Sequence, residues 1–175
     1  MTVMVGFGIV FGCTMISLES FLLILNKKVL HQWNTELRSG FAEPFYKPHQ
    51  DGQLAEIQFR ADSIRSAMHE LAHWCVAGQE RRKLPDYGYW YRPDGRNAQE
   101  QREFFQLEVK PQAIEKAFAQ ACGVEFAVSA DNLNGAQLDT GSFEQEVESQ
   151  LKHYREAGFS PRVQLILDSL KEANT

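Results

Sequence analysis

The segment Asp62 to Gly78, DSIRSAMHELAHWCVAG, decides how the rest of the chain is read. Ile64, Met68 or Ala67, Leu71 and Cys75 recur at helical spacing and predict a helix over 62–78 with an apolar inner face. Asp62 can cap its start and Gly78 offers a stop. Within it lies HELAH, residues 69 to 73. Four residues turn a helix by about 400°, so His69 and His73 stand one above the other and both can reach one metal ion. Glu70 is displaced by about 100°, toward a bound water or the outer side of a metal site. Two histidines on a helix are often no more than surface or hydrogen-bonded core residues. Here the helix is otherwise apolar and the whole chain has only five His, which favours a metal clamp.

Both catalytic zinc centres and non-haem iron centres add a third protein ligand and keep positions open. Downstream, Asp86, Asp94, Glu103, Glu108, Glu115, Asp131 and His153 are available. Spacing favours a residue on a neighbouring helix and leaves Glu108 and Glu115 nearly tied, although Glu115 beside Lys116 also reads as ordinary helix surface.

After the clamp comes PDYGYWYRPDGR, residues 85 to 96, a turn-rich loop. Tyr87, Tyr89, Trp90 and Tyr91 give it anchoring power, and with Asp86, Arg92, Asp94 and Arg96 they form the expected rim of a pocket. Each ring could equally fix the loop against the core. The run Arg81, Arg82, Lys83 reads as a solvated helix end or a partner contact, and Asp131 and Asn132 as a turn cap or supports of the site.

Around this centre the pattern is mostly helical with a small strand component. Leu22, Leu23, Leu25, Val29, Leu30, Trp33 and Leu37 predict an amphipathic helix from Glu19 to Leu37. Leu54 to Phe59 alternates as a half-buried strand. Gln99 to Leu107 continues as helix, and Pro111 suits the first turn of a following helix that ends near Gly123. Asp131 to Gly141 reads as loop, followed by helices on Phe143 to Tyr154 and Val163 to Leu170, divided by Gly158 and Pro161.

With 175 residues the chain can bury one ordinary core, so a single α+β domain over 19–175 is expected. Residues 1–18 carry no charge and read as an apolar N-terminal extension. They lack the basic flank of a secretory signal, and Gly6, Gly8 and Gly12 disfavour a spanning helix, so no membrane attachment is expected. A net charge of -5 gives no attraction to nucleic acid. Cys13, Cys75 and Cys122 fit neither a disulfide framework nor a Cys-x-x-Cys motif and suit a reducing cytoplasm, with Cys75 and Cys122 as small buried hydrophobes.

Several co-linear motifs carry a closer likeness. HELAHWCVAG at 69–78, RRKLPDYGYWYRPDGRNAQEQ at 81–101, EVKPQAIE at 108–115 and SADNL at 129–133 resemble the bacterial elongation factor P hydroxylase family, with a weaker beginning in LNKKVLHQWNTEL at 25–37. The resemblance covers roughly four fifths of the chain. It implies a metallopeptidase-like scaffold, a metal site made of His69, His73 and Glu108, and hydroxylation of the beta-lysyl-modified lysine of elongation factor P. It thereby breaks the tie toward Glu108. The apolar start and the end at Thr175 depart from the family pattern and leave the ligands untouched.

Two imidazoles and one carboxylate leave open positions on octahedral Fe(II) for O2, and iron supplies the redox step that zinc lacks. Glu70 would then orient a ligand or bound water. The competing readings are a zinc peptidase with Glu70 as general base on the same helix, and a non-catalytic module that binds a translation factor.

Overall fold

A computed structural model of the chain describes residues 15–88, 94–132, 134 and 139–174. Among these, five α-helices surround a three-stranded sheet, as the sequence pattern predicts. Helix α1 (Leu18–Ile24) is capped by Ser17, whose hydroxyl accepts from the Ser20 amide. Ile16 just before it is already buried, its amide bonded to the Cys122 carbonyl.

The predicted helix to Leu37 ends early. After α1 the chain passes through a π turn (Leu25–Val29) and a 3-10 turn (Leu30–Trp33), and it stops at Asn34 in the left-handed conformation, φ 48°. Asparagine tolerates that conformation better than most residues, so it serves as a C-terminal stop. Strand β1 (Thr35–Phe41) begins at the next residue, and Leu37 is buried in the sheet instead of on a helix face. Asn26 locks the two elements together: its amide donates to the Leu37 carbonyl and its oxygen accepts from the Leu37 amide, at 3.0 and 2.8 Å.

Strand β2 (Phe45–Lys47) and the predicted strand, β3 (Ala55–Arg60), complete the sheet. The order is β1-β3-β2, with β1 parallel and β2 antiparallel to the central β3. Ala55, Ile57 and Phe59 face the core, as their alternation requires. The β1–β3 register slips between Arg38 and Phe41, where Gly40 takes φ 94°.

Helix α2 (Ile64–Val76) is the predicted metal-clamp helix, shorter by a residue or two at each end. Its cap is Ser63, which accepts from the Ser66 amide, not Asp62, because the Ser63 hydroxyl sits at the extended residue directly before the first turn. Ala67, Met68, Leu71, Ala72 and Trp74 are fully buried. Trp33 meets Trp74 edge-on at 5.5 Å, and the guanidinium groups of Arg82 and Arg162 lie 5.7 and 4.8 Å from its ring centre. Arg82 is half-buried against this ring and also donates to the Ala77 carbonyl.

The two helices expected between Gln99 and Gly123 are one, α3 (Ala98–Cys122), with Pro111 in its interior. Proline there lacks the donor for the Leu107 carbonyl. Pro111 is itself buried, and the helix continues through it to Cys122. Its start is fixed by a capping box, in which Asn97 accepts from the Gln99 and Glu100 amides and Glu100 reaches back to the Asn97 amide. Helices α4 (Thr140–Ala157) and α5 (Pro161–Ala173) close the core with Phe143, Val147, Leu151, Val163, Ile166 and Leu170. Helix α4 thus starts within the stretch read as loop, because Asp139 caps it by accepting from the Gly141 amide.

Among the described residues no helix is long and apolar enough to cross a membrane. Cys75 and Cys122 are buried and unpaired with each other, and burial pushes the Cys75 thiol up to about 12, so it packs as an inert hydrophobe.

Candidate metal centre

Helices α2 and α3 pack side by side, and the site lies on their shared face. From α2, one turn apart, come His69 and His73; from α3 comes Glu108, 2% exposed. One ligand atom from each lies within 4.8 Å of the others. The two Nε2 atoms are 3.1 Å apart, His73 Nε2 is 3.2 Å from Glu108 Oε1, and His69 Nε2 is 3.7 Å from Glu108 Oε2. Two ligands bonded at about 2.1 Å and set at right angles or tetrahedrally stand about 3.0–3.4 Å apart. The spacing of the donor atoms therefore fits a divalent ion held by all three.

The remaining atoms of the cluster are also partnered. Glu115 Oε2 lies 2.9 Å from His69 Nδ1. An ionised carboxylate only accepts, so Nδ1 is the donor and Nε2 is left facing His73 and Glu108. Gln112, fully buried, donates to Glu108 Oε2 at 3.2 Å and is itself tied to residue 129, donating to the Ser129 carbonyl and accepting from its amide. Positions 108, 112 and 115 follow the i, i+4, i+7 rule, so α3 presents all three on one face. That spacing was the available signal for Gln112 and Glu115, and the Lys116 neighbour obscured it. Far from being surface, Glu115 is 6% exposed.

The imidazoles and carboxylates of the cluster shift one another's pKa values. Burial works against the charge on His69, yet the Glu115 hydrogen bond and the fields of Glu108, Glu115 and Glu70 outweigh it and raise its pKa to about 10. Burial likewise opposes ionisation of Glu108, but His73 and His69, with the Gln112 hydrogen bond, bring it down to about 2. In metal-free protein these shifts have opposite pH signatures. The raised His69 contributes stability that is complete below its ordinary 6.5 and is lost as pH rises toward 10. The lowered Glu108 contributes stability that is complete above its ordinary 4.5 and is lost as pH falls toward 2. The Tm of chelator-treated protein is expected to be highest between those ordinary values. A His69→Ala variant should lose the alkaline limb of that profile, whereas an unchanged limb would show that His69 is not the titrating group.

Glu70 is on the neighbouring side of α2, close enough to feel His69, His73, Glu108 and Asp86, and burial raises its pKa. It does not belong to the three-residue cluster. The loop residues fall into different places. Tyr87 is 5% exposed and stacked on Tyr46 at 4.3 Å between ring centres, in a left-handed turn with Asp86. Asp86 Oδ1 accepts from the Tyr46 amide at 2.7 Å. Asp94 is bonded to Asn134 and to the Gly95 amide. Arg96 is interior, 1% exposed. Its guanidinium donates to Gln101 Oε1 and to the carbonyls of Ala130 and Asp131, and it lies 3.8 Å over the Phe104 ring. Asn132 bonds to both backbone groups of Arg96, so it closes this loop instead of supporting the metal cluster. Tyr89, Trp90, Tyr91 and Arg92 lie outside the described residues. Of the other carboxylates and histidines weighed as third ligands, Glu103, Asp131 and His153 are exposed and are not in the cluster.

A small α+β domain in which two imidazoles of one helix meet a carboxylate of the next belongs to the class of proteins with a three-residue group that could hold a divalent ion. Comparison with known proteins makes the class particular. The family model described as elongation factor P hydroxylase matches residues 24–175. A protein of Haemophilus influenzae named elongation factor P lysine hydroxylase is 46% identical over 154 residues, covering 87% of this chain and 86% of its own. The chain belongs to the elongation factor P hydroxylase family.

Proposed function

We propose that this protein hydroxylates the beta-lysyl-modified lysine of translation elongation factor P, using Fe(II) held by His69, His73 and Glu108 and O2 as co-substrate. The observation that carries the reading is the convergence of those three side chains within 4.8 Å in a chain of this family. Bound ferrous iron with dioxygen supplies the redox chemistry that replaces a C–H of the target methylene by C–OH, with the remaining electrons drawn from an outside reductant.

The chain's own residues bind and orient. Glu108 and the two imidazoles supply one negative charge and two neutral donors. Glu70, on the neighbouring side of α2, would orient a bound water or ligand. The substrate side chain is a long aliphatic stem with ammonium groups, which aromatic faces and carboxylates suit. Asp86, Asp94 and the aromatic run Tyr89, Trp90 and Tyr91 are assigned to it from sequence, with Tyr87 and Arg96 supporting the loop from inside. The scaffold is of metallopeptidase-like type, and the protein works in the cytoplasm on a protein partner, with no nucleic acid or membrane in the reaction.

Intact-mass analysis tests the reading: modified elongation factor P incubated with the protein, ferrous iron, oxygen and a reductant is expected to gain the mass of one oxygen atom. No gain under those conditions, with zinc-dependent cleavage of peptides instead, would assign the same helix to a peptidase.

A further inference from the structure

Within the proposed metal-site reading, on which this inference rests, we infer that Glu115 is the positioning residue of the centre, setting through His69 how tightly the ion is held. Three observations carry it. Glu115 is 6% exposed, and the one hydrogen bond drawn by its buried carboxylate is to His69 Nδ1, at 2.9 Å. That bond fixes the azimuth of the ring and keeps the proton on Nδ1, so the Nε2 lone pair faces the ion position. And Glu115 sits on the same face of α3 as Glu108, two helical turns on, so one rigid helix fixes both the carboxylate ligand and the orientation of an imidazole ligand.

A carboxylate behind an imidazole also makes it a stronger donor, because it stabilises the positive charge that the ring acquires when its Nε2 gives electron density to a cation. His73 carries no such partner among the described hydrogen bonds; its Nε2 faces His69 and Glu108 alone. The two histidines are thus unequal, with His69 the anchored ligand and His73 the one freer to reorient. Glu115 meets His69 at Nδ1, the ring nitrogen away from His73 and Glu108, so its effect would pass through His69.

Titration of chelator-treated protein with Co(II), followed by its visible d–d absorption, tests this in wild type, Glu115→Gln and Glu115→Ala. Glu115→Gln keeps the shape and an acceptor and is expected to weaken cobalt binding about tenfold; Glu115→Ala removes the partner and is expected to weaken it about a hundredfold. Metal-free Glu115→Gln should still unfold cooperatively, with a Tm lowered only modestly by loss of the Glu115–His69 ion pair. In zinc-loaded protein the Nδ1 proton of His69 should give a downfield NMR signal that moves upfield in Glu115→Gln. Cobalt affinities within threefold of wild type for both variants would overturn the inference, as would a loss of affinity in Glu115→Gln that appears only with a collapse of its metal-free Tm. A wild type that takes up no cobalt would remove the metal-site reading itself, a result distinct from either.

Discussion

Glu108→Ala is expected to leave a folded protein that retains no iron and loses more than 100-fold of its hydroxylation rate. The magnitude follows from comparison with outer partners of metal ligands, whose removal alone costs about 10–100-fold. Glu108 is the only carboxylate of the three-residue cluster, and it draws donors from both sides: His73 and His69 toward the ion position and Gln112 from behind. Without it two imidazole nitrogens remain 3.1 Å apart with no carboxylate ligand to complete the cluster. Metal analysis after desalting and the mass gain of modified elongation factor P give the readouts. Glu103→Ala, on the same helix but exposed, serves as the control and should be indistinguishable from wild type. Full iron retention in Glu108→Ala would show that the ion is held elsewhere.

Arg96→Ala is expected to destabilise the fold by roughly 3–5 kcal/mol, a large fraction of the about 5–15 kcal/mol that holds a typical domain together. Among the described residues the guanidinium donates to Gln101 Oε1 and to the carbonyls of Ala130 and Asp131, and it covers the Phe104 ring at 3.8 Å. Truncation removes these charge-assisted bonds, each worth about 1.5–3 kcal/mol, takes this donor from the buried Gln101 oxygen while the Ala130 carbonyl keeps its bond from Gln101 Nε2, and also removes the contact with the ring. Arg96→Lys should recover little, since one ammonium cannot reproduce the planar fork. Urea unfolding reads the effect as a lower midpoint. A midpoint equal to that of wild type, together with a raised KM for the protein substrate, would instead make Arg96 a substrate contact.

These two residues mark what local pattern can and cannot convey. His69 and His73 announce themselves because both lie on one helix, where spacing alone fixes relative direction. Glu108 could not be separated from Glu115 by spacing, because their positions relative to His69 depend on how α2 and α3 pack. The structure uses both, one facing the imidazole Nε2 atoms and one behind His69 at Nδ1. Arg96 looked like a rim residue because it follows a turn-rich aromatic loop; its burial depends on residues 130 and 131, which are far away in sequence.

The same reasoning accounts for the fold. Strand β3 and helices α4 and α5 were legible from alternation, helical stripes and the Gly158 and Pro161 breaks. The end of the first helical stretch was not, because Leu37 continues the apolar spacing of Leu30 and Trp33 while belonging to a strand that pairs with a segment some 20 residues on. Only Asn34, able to take the left-handed turn, gave a local sign. Pro111 misled in the opposite sense. A proline can stand inside a helix when tertiary packing outweighs the lost bond, and the burial of Pro111 is a property of that packing which cannot be read from the residue itself.

Anomalous diffraction at the iron edge from a crystal of ferrous-loaded protein would test the central claim most directly. One strong peak is expected, bonded to Nε2 of His69, Nε2 of His73 and a carboxylate oxygen of Glu108, with Glu115 still on Nδ1 of His69. A peak at any other residues, or those three side chains turned away from one another around no ion, would contradict it.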